Sequence, residues 1–242
     1  MIKFEHTQVV GFEPAIRGMR NAKNSWDRSD SSWQLCPDYD GPDAIFGHRY
    51  IIGPNDLKLM MDLRNDGTDH RKFMRMIVVY VDITAPLYFW KEFDTYKVGT
   101  VANSCSTMHT IHQKKLELDD FSTEHLTYRA VHTLGDTVDL INHYRNMFIN
   151  WDKIDANTKN ANRLIYRKDA WWQMIQLLPT SYNQRRTVKM NYEVLANIYK
   201  PTSRRHHKQA EWNVDCDGSF CQWIKTLPYS QLITGEENHI ES

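Results

Sequence analysis

Lys97, Gly99, Thr100, Asn103, Ser104, Ser106 and His109 fall in one short stretch of the chain. Hydroxyls, amides and backbone N–H groups gathered around a glycine can cradle a phosphate or hydrogen-bond a polar heterocycle. Lys97 adds a cation. His109 is the group there that titrates near neutrality, which makes it the candidate proton carrier. Ser104 and Ser106 are candidate nucleophiles by type, although no activating triad is visible beside them. Just upstream, Trp90 and Tyr96 could stack on a flat ring. Each feature also has a plainer reading: a loop over a buried helix, a hydrogen-bonded structural histidine, and aromatics that belong to the core.

The flanking sequence must position this stretch. Ile77, Val79, Val81 and Ile83 alternate with Val78 and Tyr80, so 73–83 predicts a central strand covered on both faces. It leads into a helix predicted over 85–97, with Thr84 as its cap, Pro86 in its first turn, and Leu87, Trp90 and Phe93 at helical spacing. Upstream, 1–10 predicts an edge strand. The following stretch sets Arg17, Arg20, Lys23 and Arg28 around Trp26 among Gly, Asn and Ser. It reads either as a solvated loop or as an ordered arm carrying cations to an anionic ligand or a neighbouring subunit. Residues 37–47 are turn-rich. A helix over 56–65 is expected, capped by Asn55 or Asp56, with Leu57, Met60, Met61 and Leu63 on its apolar side and Gly67 closing it.

Downstream, Ser122 and Thr123 can start a helix, and 137–151 keeps helical spacing from Val138 to Trp151. The apolar run 171–178 ends at Pro179. A turn over 180–186 precedes a short strand at 187–190, after which Asn191 would cap a helix over 192–199. Residues 204–208 form a basic corner, 209–227 reads as helical, and the tail from 235 is acidic and frayed. No repeat or linker is evident. A single domain over 1–242 is expected, divided into N-terminal elements with the basic arm (1–67), a core (68–227) and a tail (228–242).

Composition sets the class. With 41% hydrophobic and 25% charged residues in a chain of 242, this is an ordinary globular balance. Thirty basic residues cancel thirty acidic ones. That leaves no surplus of cations for a nucleic-acid coat or a polybasic membrane anchor, so neither partner is expected. No run of about 18 apolar residues suits a membrane span, and the N-terminus lacks the apolar core of a signal peptide. Cys36, Cys105, Cys216 and Cys221 contain no CxxC pair and read as free thiols in a reducing cytoplasm. His206, His207, Cys216 and Cys221 do not have a usual zinc spacing, and no metal is expected.

The order of these pieces resembles the flavin-dependent thymidylate synthases, also called thymidylate synthase complementing proteins. In that family an apolar strand and a helix lead to a signature of the form RHRxxSxNExSxRY. The corresponding residues here are Thr95-Tyr96-Lys97, Thr100, Asn103-Ser104, Ser106 and Met108-His109, with one extra residue before Asn103. Leu178-Pro179, the strand at 187–190 and Asn191 follow the family's later order. Arg205 precedes Ala210-Glu211-Trp212 at the spacing of a last motif. The resemblance covers roughly 68–227. The stretches GFEPAIRGMRN and WKEFDTYKVGT look like a divergent branch found in gut bacteria and their phages.

The resemblance implies an α+β fold with a central mixed sheet and flanking helices, assembled as a homotetramer. It implies a pyrimidine nucleotide such as dUMP as ligand and FAD as cofactor. Methylenetetrahydrofolate would supply the one-carbon unit, and NADPH would reduce the flavin. Carried over by position, it puts Tyr96, Lys97, Thr100, Asn103, Asn191 and Arg205 at nucleotide- or cofactor-binding positions. Arg185 is a cation that could be supplied from elsewhere, and His109, Ser104 and Ser106 are the catalytic candidates by residue type. The departures are in the cations. The family's Arg-His-Arg is Thr95-Tyr96-Lys97, the Glu after Asn is Ser104, and two further arginines fall on Ile175 and Glu193. Each lost charge-assisted contact to a phosphate removes about 1.5–3 kcal/mol. Either other cations serve a different ligand, or the chemistry is lost and a binding or interaction role is kept.

Overall fold

A computed structural model describes residues 2–236. The strands are β1 (Lys3–Val10), β2 (Ser32–Leu35), β3 (His48–Ile51), β4 (Val78–Pro86), β5 (Val101–Ser104) and β6 (Asn183–Asn191). The helices are α1 (Phe12–Asn21), α2 (Pro54–Asn65), α3 (Leu87–Phe93), α4 (Thr107–Thr110), α5 (Tyr128–Ile149), α6 (Ala156–Ala161), α7 (Arg167–Leu177), α8 (Tyr192–Tyr199), α9 (Phe220–Lys225) and α10 (Gln231–Thr234). One sheet runs β1-β4-β6-β5, which makes β1 an edge and β4 internal, as the alternation requires. β2 and β3 form a separate antiparallel pair, with Ser32 opposite Ile51 and Leu35 opposite His48. The chain divides into two compact units. The smaller comprises Thr84–Phe93 and Ser104–Arg186; the larger comprises Ile2–Ile83, Asp94–Asn103 and, of the described residues, 187–236.

In the larger unit the chain leaves β1 through Gly11, whose φ is +102°; a Cβ there would lie 2.1 Å from the carbonyl oxygen of Met76. Only glycine permits that approach. The arm after it is not a solvated loop. Phe12, Ala15, Ile16, Met19 and Arg20 recur on one face of α1 and are buried. The interspersed polar residues obscure this periodicity when the stretch is read by composition.

α2 begins earlier than 56, with Pro54 in its first turn. Neither Asn55 nor Asp56 caps it. The Asp30 carboxylate accepts from the N–H groups of Asn55 (2.8 Å) and Asp56 (3.0 Å) instead. Asp56 is fully buried and receives Arg20 Nε (2.6 Å), Ser29 Oγ (2.6 Å), Ser31 Oγ (2.6 Å) and the Asp30 N–H (3.2 Å). Gly67, φ +107°, follows the last turn as expected.

β4 starts at Val78, after a 3-10 turn over Arg71–Met76, and continues to Pro86. Val79, Val81, Ile83 and Ala85 are buried, whereas Tyr80 on the other face is 42% exposed, so one face rather than both is covered within this chain. Thr84 and Ala85 remain extended because the residue before a proline disfavours the helical region. The helix predicted over 85–97 therefore shortens to α3. Its first N–H groups find partners in the smaller unit: Leu87 N bonds to Tyr182 O and Tyr88 N to Thr180 O. Trp90 is core, its indole N–H held between the carbonyls of Ala85 and Gln184 at 3.0 Å each.

The smaller unit is otherwise built on α5 and α7. Leu134, Val138, Ile141 and Met174 bury with Ile111, Leu116 and Phe121, and Tyr144, Phe148 and Trp171 close over them. The helix expected over 137–151 is α5, which begins earlier and is capped by Thr127; the separate helix start expected at Ser122 and Thr123 does not form. Ser122 Oγ donates to Asn183 Oδ1 instead. β6 absorbs most of the turn expected at 180–186, and Asn191 caps α8 by accepting from the Val194 N–H at 3.0 Å. The helix expected over 209–227 is confined to α9; 201–218 runs as successive turns. The tail beyond 236 lies outside the described residues. Among the described residues no helix is long and apolar enough to cross a membrane.

Candidate functional site

In the larger unit, the stretch after α3 is fastened at Tyr96. Its hydroxyl lies 2.8 Å from Ser203 Oγ and accepts from Arg204 Nε at 3.1 Å. The Arg204 guanidinium sits 5.7 Å from the Tyr96 ring and 5.6 Å from that of Trp212. Tyr96 thus anchors the loop, a task that composition alone does not distinguish from stacking on a ligand. Lys97 and Val98 beyond it are exposed. Gly99 adopts φ +82° against the start of α8, where a Cβ would stand 3.0 Å from Asn191 Nδ2 and 3.1 Å from Val194 Cγ2. The Asn191 side chain therefore both caps α8 and borders this turn.

Thr100 Oγ1 and Arg205 Nε are among several side-chain polar atoms of the same unit, Gln209 Oε1 another, that are buried without a hydrogen-bond partner among the described residues. Leaving such a group unsatisfied costs about 1–3 kcal/mol, a cost that a bound ligand or water relieves. The rest of the Arg205 guanidinium is engaged, paired with Glu236 and lying 5.0 Å from the Tyr199 ring. Burial, then the charge of Glu236, pushes the Tyr199 hydroxyl up to about 12, so it stays protonated and donates to that carboxylate. Asn103 is exposed on β5.

Glu193 marks the sharpest change of charge. It is buried on α8 and takes Arg71 Nε at 3.2 Å, with Arg75 Nε at 3.7 Å from its other oxygen. Arg71 also donates to Asn197 Oδ1 at 3.1 Å. Sequence reading missed this cluster and the Arg20–Asp56 cluster. Their members lie far apart along the chain, and no local spacing signals such a pair.

The smaller unit holds Ser104, Ser106, His109 and Arg185. The backbone of Cys105 is pinned to β6: its N–H bonds to Arg185 O, and its carbonyl accepts from Gln184 Nε2, each at 3.0 Å. Ser106 Oγ caps the single turn of α4 by accepting from the His109 N–H at 3.3 Å. No hydrogen bond joins Ser104 or Ser106 to an imidazole or carboxylate among the described residues. The His109 imidazole and Arg185 are exposed.

The architecture places the chain with the flavin-dependent thymidylate synthase fold, a mixture of helix and sheet around the strand–helix–strand course of β4, α3 and β5. A Helicobacter pylori thymidylate synthase ThyX with FAD and dUMP superposes with a TM-score of 0.60 at 14% identity, covering 98% of this chain and 97% of that one. A second Helicobacter pylori ThyX complex gives 0.57 at 16% identity, over 95% and 97%. The UMP/dUMP methylase PolB of Streptomyces cacaoi, bound with 5-Br dUMP, gives 0.57 at 12%, over 97% and 94%. No family model matches the sequence, and no curated protein matches it either.

Proposed function

We infer that this chain binds a uridine-type nucleotide through the segment that runs from Tyr96 to Asn103, on a thymidylate-synthase-like scaffold. The observation that carries the reading is the buried, partnerless Thr100 hydroxyl, in a polar segment that Tyr96 anchors and Gly99 turns against α8. Asn103 and Lys97 would supply the exposed amide and cation. Asn191 would hold the turn, and Arg205 would offer its remaining donor. The match to structures that contain dUMP, FAD and 5-Br dUMP supports the same ligand class.

FAD fits in chemistry to the extent that Thr100 Oγ1 and Arg205 Nε are polar groups awaiting partners. When bound, reduced flavin would supply the hydride for one-carbon transfer from methylenetetrahydrofolate, with NADPH as its reductant. This chain's own contribution would be to hold the nucleotide. In the smaller unit, His109 is the proposed proton carrier, with Ser104, Ser106 and Arg185 as polar neighbours in sequence and on β6. A homotetramer in a bacterial or phage cytoplasm belongs to the same proposal.

Glu193 favours a second reading, a nucleotide binder without turnover. A buried carboxylate held by Arg71 and Arg75 stands where the family resemblance implies a cation. One experiment separates the two. The purified protein is mixed with FAD, freed of excess and scanned for a flavin band, then assayed for conversion of dUMP with methylenetetrahydrofolate and NADPH. Turnover supports the enzyme. Saturable dUMP binding without turnover supports the binder. No binding of flavin or nucleotide overturns both.

A further inference from the structure

Two cavities open beside the turn that follows α1, both within the larger unit. One, of about 850 Å³, is lined by Arg20, Lys23, Ser25, Asp27, Arg28 and Asp30 among others. The other, of about 530 Å³, is lined by Ile16, Arg17, Trp26 and Tyr50, and shares Arg20 and Ser29 with the first. The first has a polar lining and the second an apolar one.

The charges of the first cavity are not equally available. Arg20 is consumed by Asp56 and by the Ser25 carbonyl at 3.1 Å. Both oxygens of Asp30 face the N–H groups that open α2. That leaves Lys23 and Arg28, both exposed and in no ion pair among the described residues, against the exposed Asp27. The second cavity offers a ring surface. The Trp26 indole is held by its N–H on Asn21 Oδ1 at 2.7 Å, yet the residue remains 51% exposed. Trp33 repeats the arrangement on Glu13 Oε2 at 3.0 Å and meets Tyr50 edge-on at 5.4 Å between centroids. An indole fixed at its polar edge with an open face is pre-set for stacking, because its orientation is already constrained by the fold.

We propose that these cavities form one nucleotide site, with the base on Trp26 and the phosphate between Lys23 and Arg28. It shares no residue with the Tyr96–Asn103 segment and does not depend on the function proposed there. A flat ring alone would leave the cations idle, and a bare phosphate would leave the indole face idle; a mononucleotide uses both. The balanced charge of the whole chain argues against a nucleic-acid strand as occupant.

The test is calorimetric titration of the full chain with AMP, and with ribose 5-phosphate as the ringless counterpart. The wild type is expected to bind one AMP per chain, more weakly as salt is raised. K23A/R28A is expected to weaken AMP binding by about tenfold or more, the effect of losing charge-assisted contacts to phosphate. K23R/R28K, which keeps the charge, is expected to retain it, and this separates loss of charge from loss of fold. Trp26→Ser is expected to weaken AMP about tenfold and to leave ribose 5-phosphate nearly unchanged. Absence of saturable AMP binding to the wild type overturns the proposal, as does equal affinity in K23A/R28A. Tighter binding of a short oligothymidine than of AMP also overturns it. Titration with dUMP reads the other site: dUMP binding that survives in K23A/R28A while AMP binding is lost assigns the two ligands to different places.

Discussion

At the residue scale, the most consequential side chain is Asp56, which the sequence offered only as a helix cap. Burial pushes the Asp56 carboxyl up, but hydrogen bonds from Ser29, Ser31 and Arg20, with the Arg20 charge, outweigh it and hold the group below its usual value. Such a group contributes stability above its unfolded pKa of about 3.9, and loses that contribution as pH falls through the lower folded value. Urea midpoints are therefore expected to fall below pH about 4. Asp56→Asn, which leaves Arg20 buried beside a neutral partner, should cost about 3–5 kcal/mol at neutral pH, and its deficit relative to the wild type should shrink in acid. Lys58→Ala, which removes an exposed pair with Asp62, should change stability by about 0.5 kcal/mol or less. The thiols give a second test. Burial pushes Cys221 up to about 12, whereas Cys105 is exposed. In native protein at pH 8 a thiol reagent should label Cys105 and spare Cys221 until denaturant is added; early labelling of Cys221 would contradict its burial.

At the scale of elements, local signals were reliable wherever the chain itself supplied them. Asn191 was readable as the cap of α8, and the structure places its carboxamide on the Val194 N–H. Asn191→Ala should cost about 1 kcal/mol in thermal or chemical denaturation. Gly99→Ala should cost more than an ordinary glycine substitution, since it adds a positive-φ penalty to tight contacts with Asn191 and Val194. Gly11→Ala should be the most damaging of the three, because its Cβ would overlap the Met76 backbone rather than a movable side chain. A melting series ordered Asn191→Ala, Gly99→Ala, Gly11→Ala checks this ranking, and a mild Gly11→Ala would contradict it. Local signals misled where neighbours compete for the same group. Asp56 has the right type and place to cap α2, yet Arg20 and the serines claim it, and Asp30 caps from 25 residues before Asn55. Pro86 suits a first helical turn, but it also keeps the preceding residues extended, and β4 prevails.

At the scale of the whole molecule, dUMP at a hundredfold excess over its dissociation constant should stabilise the protein by about 2.7 kcal/mol. A thermal shift that saturates with dUMP, and is reduced by Thr100→Val, checks the pyrimidine reading; no shift at millimolar dUMP would sink it. Sedimentation velocity checks the proposed tetramer, and a monomer at micromolar concentration would remove it. The sequence by itself determined the edge strand β1, the internal strand β4, the long helix α5, the strand–cap–helix course of β6 and α8, and the likeness to the thymidylate synthase fold. The elements rest on periodicity and on capping between near neighbours, which survive divergence because they are local; the likeness rests on the order of motifs that resembles the family's. Only the tertiary structure decided that the basic arm is a helix with its own cavities, that Arg20 belongs to Asp56, and that Glu193 is held by two arginines. It also decided that Tyr96 is an anchor while Thr100 keeps an unsatisfied hydroxyl. Those outcomes depend on which groups burial brings together from distant parts of the chain, and a charge or hydroxyl read in sequence does not show whether its partner is water, a neighbour or a ligand.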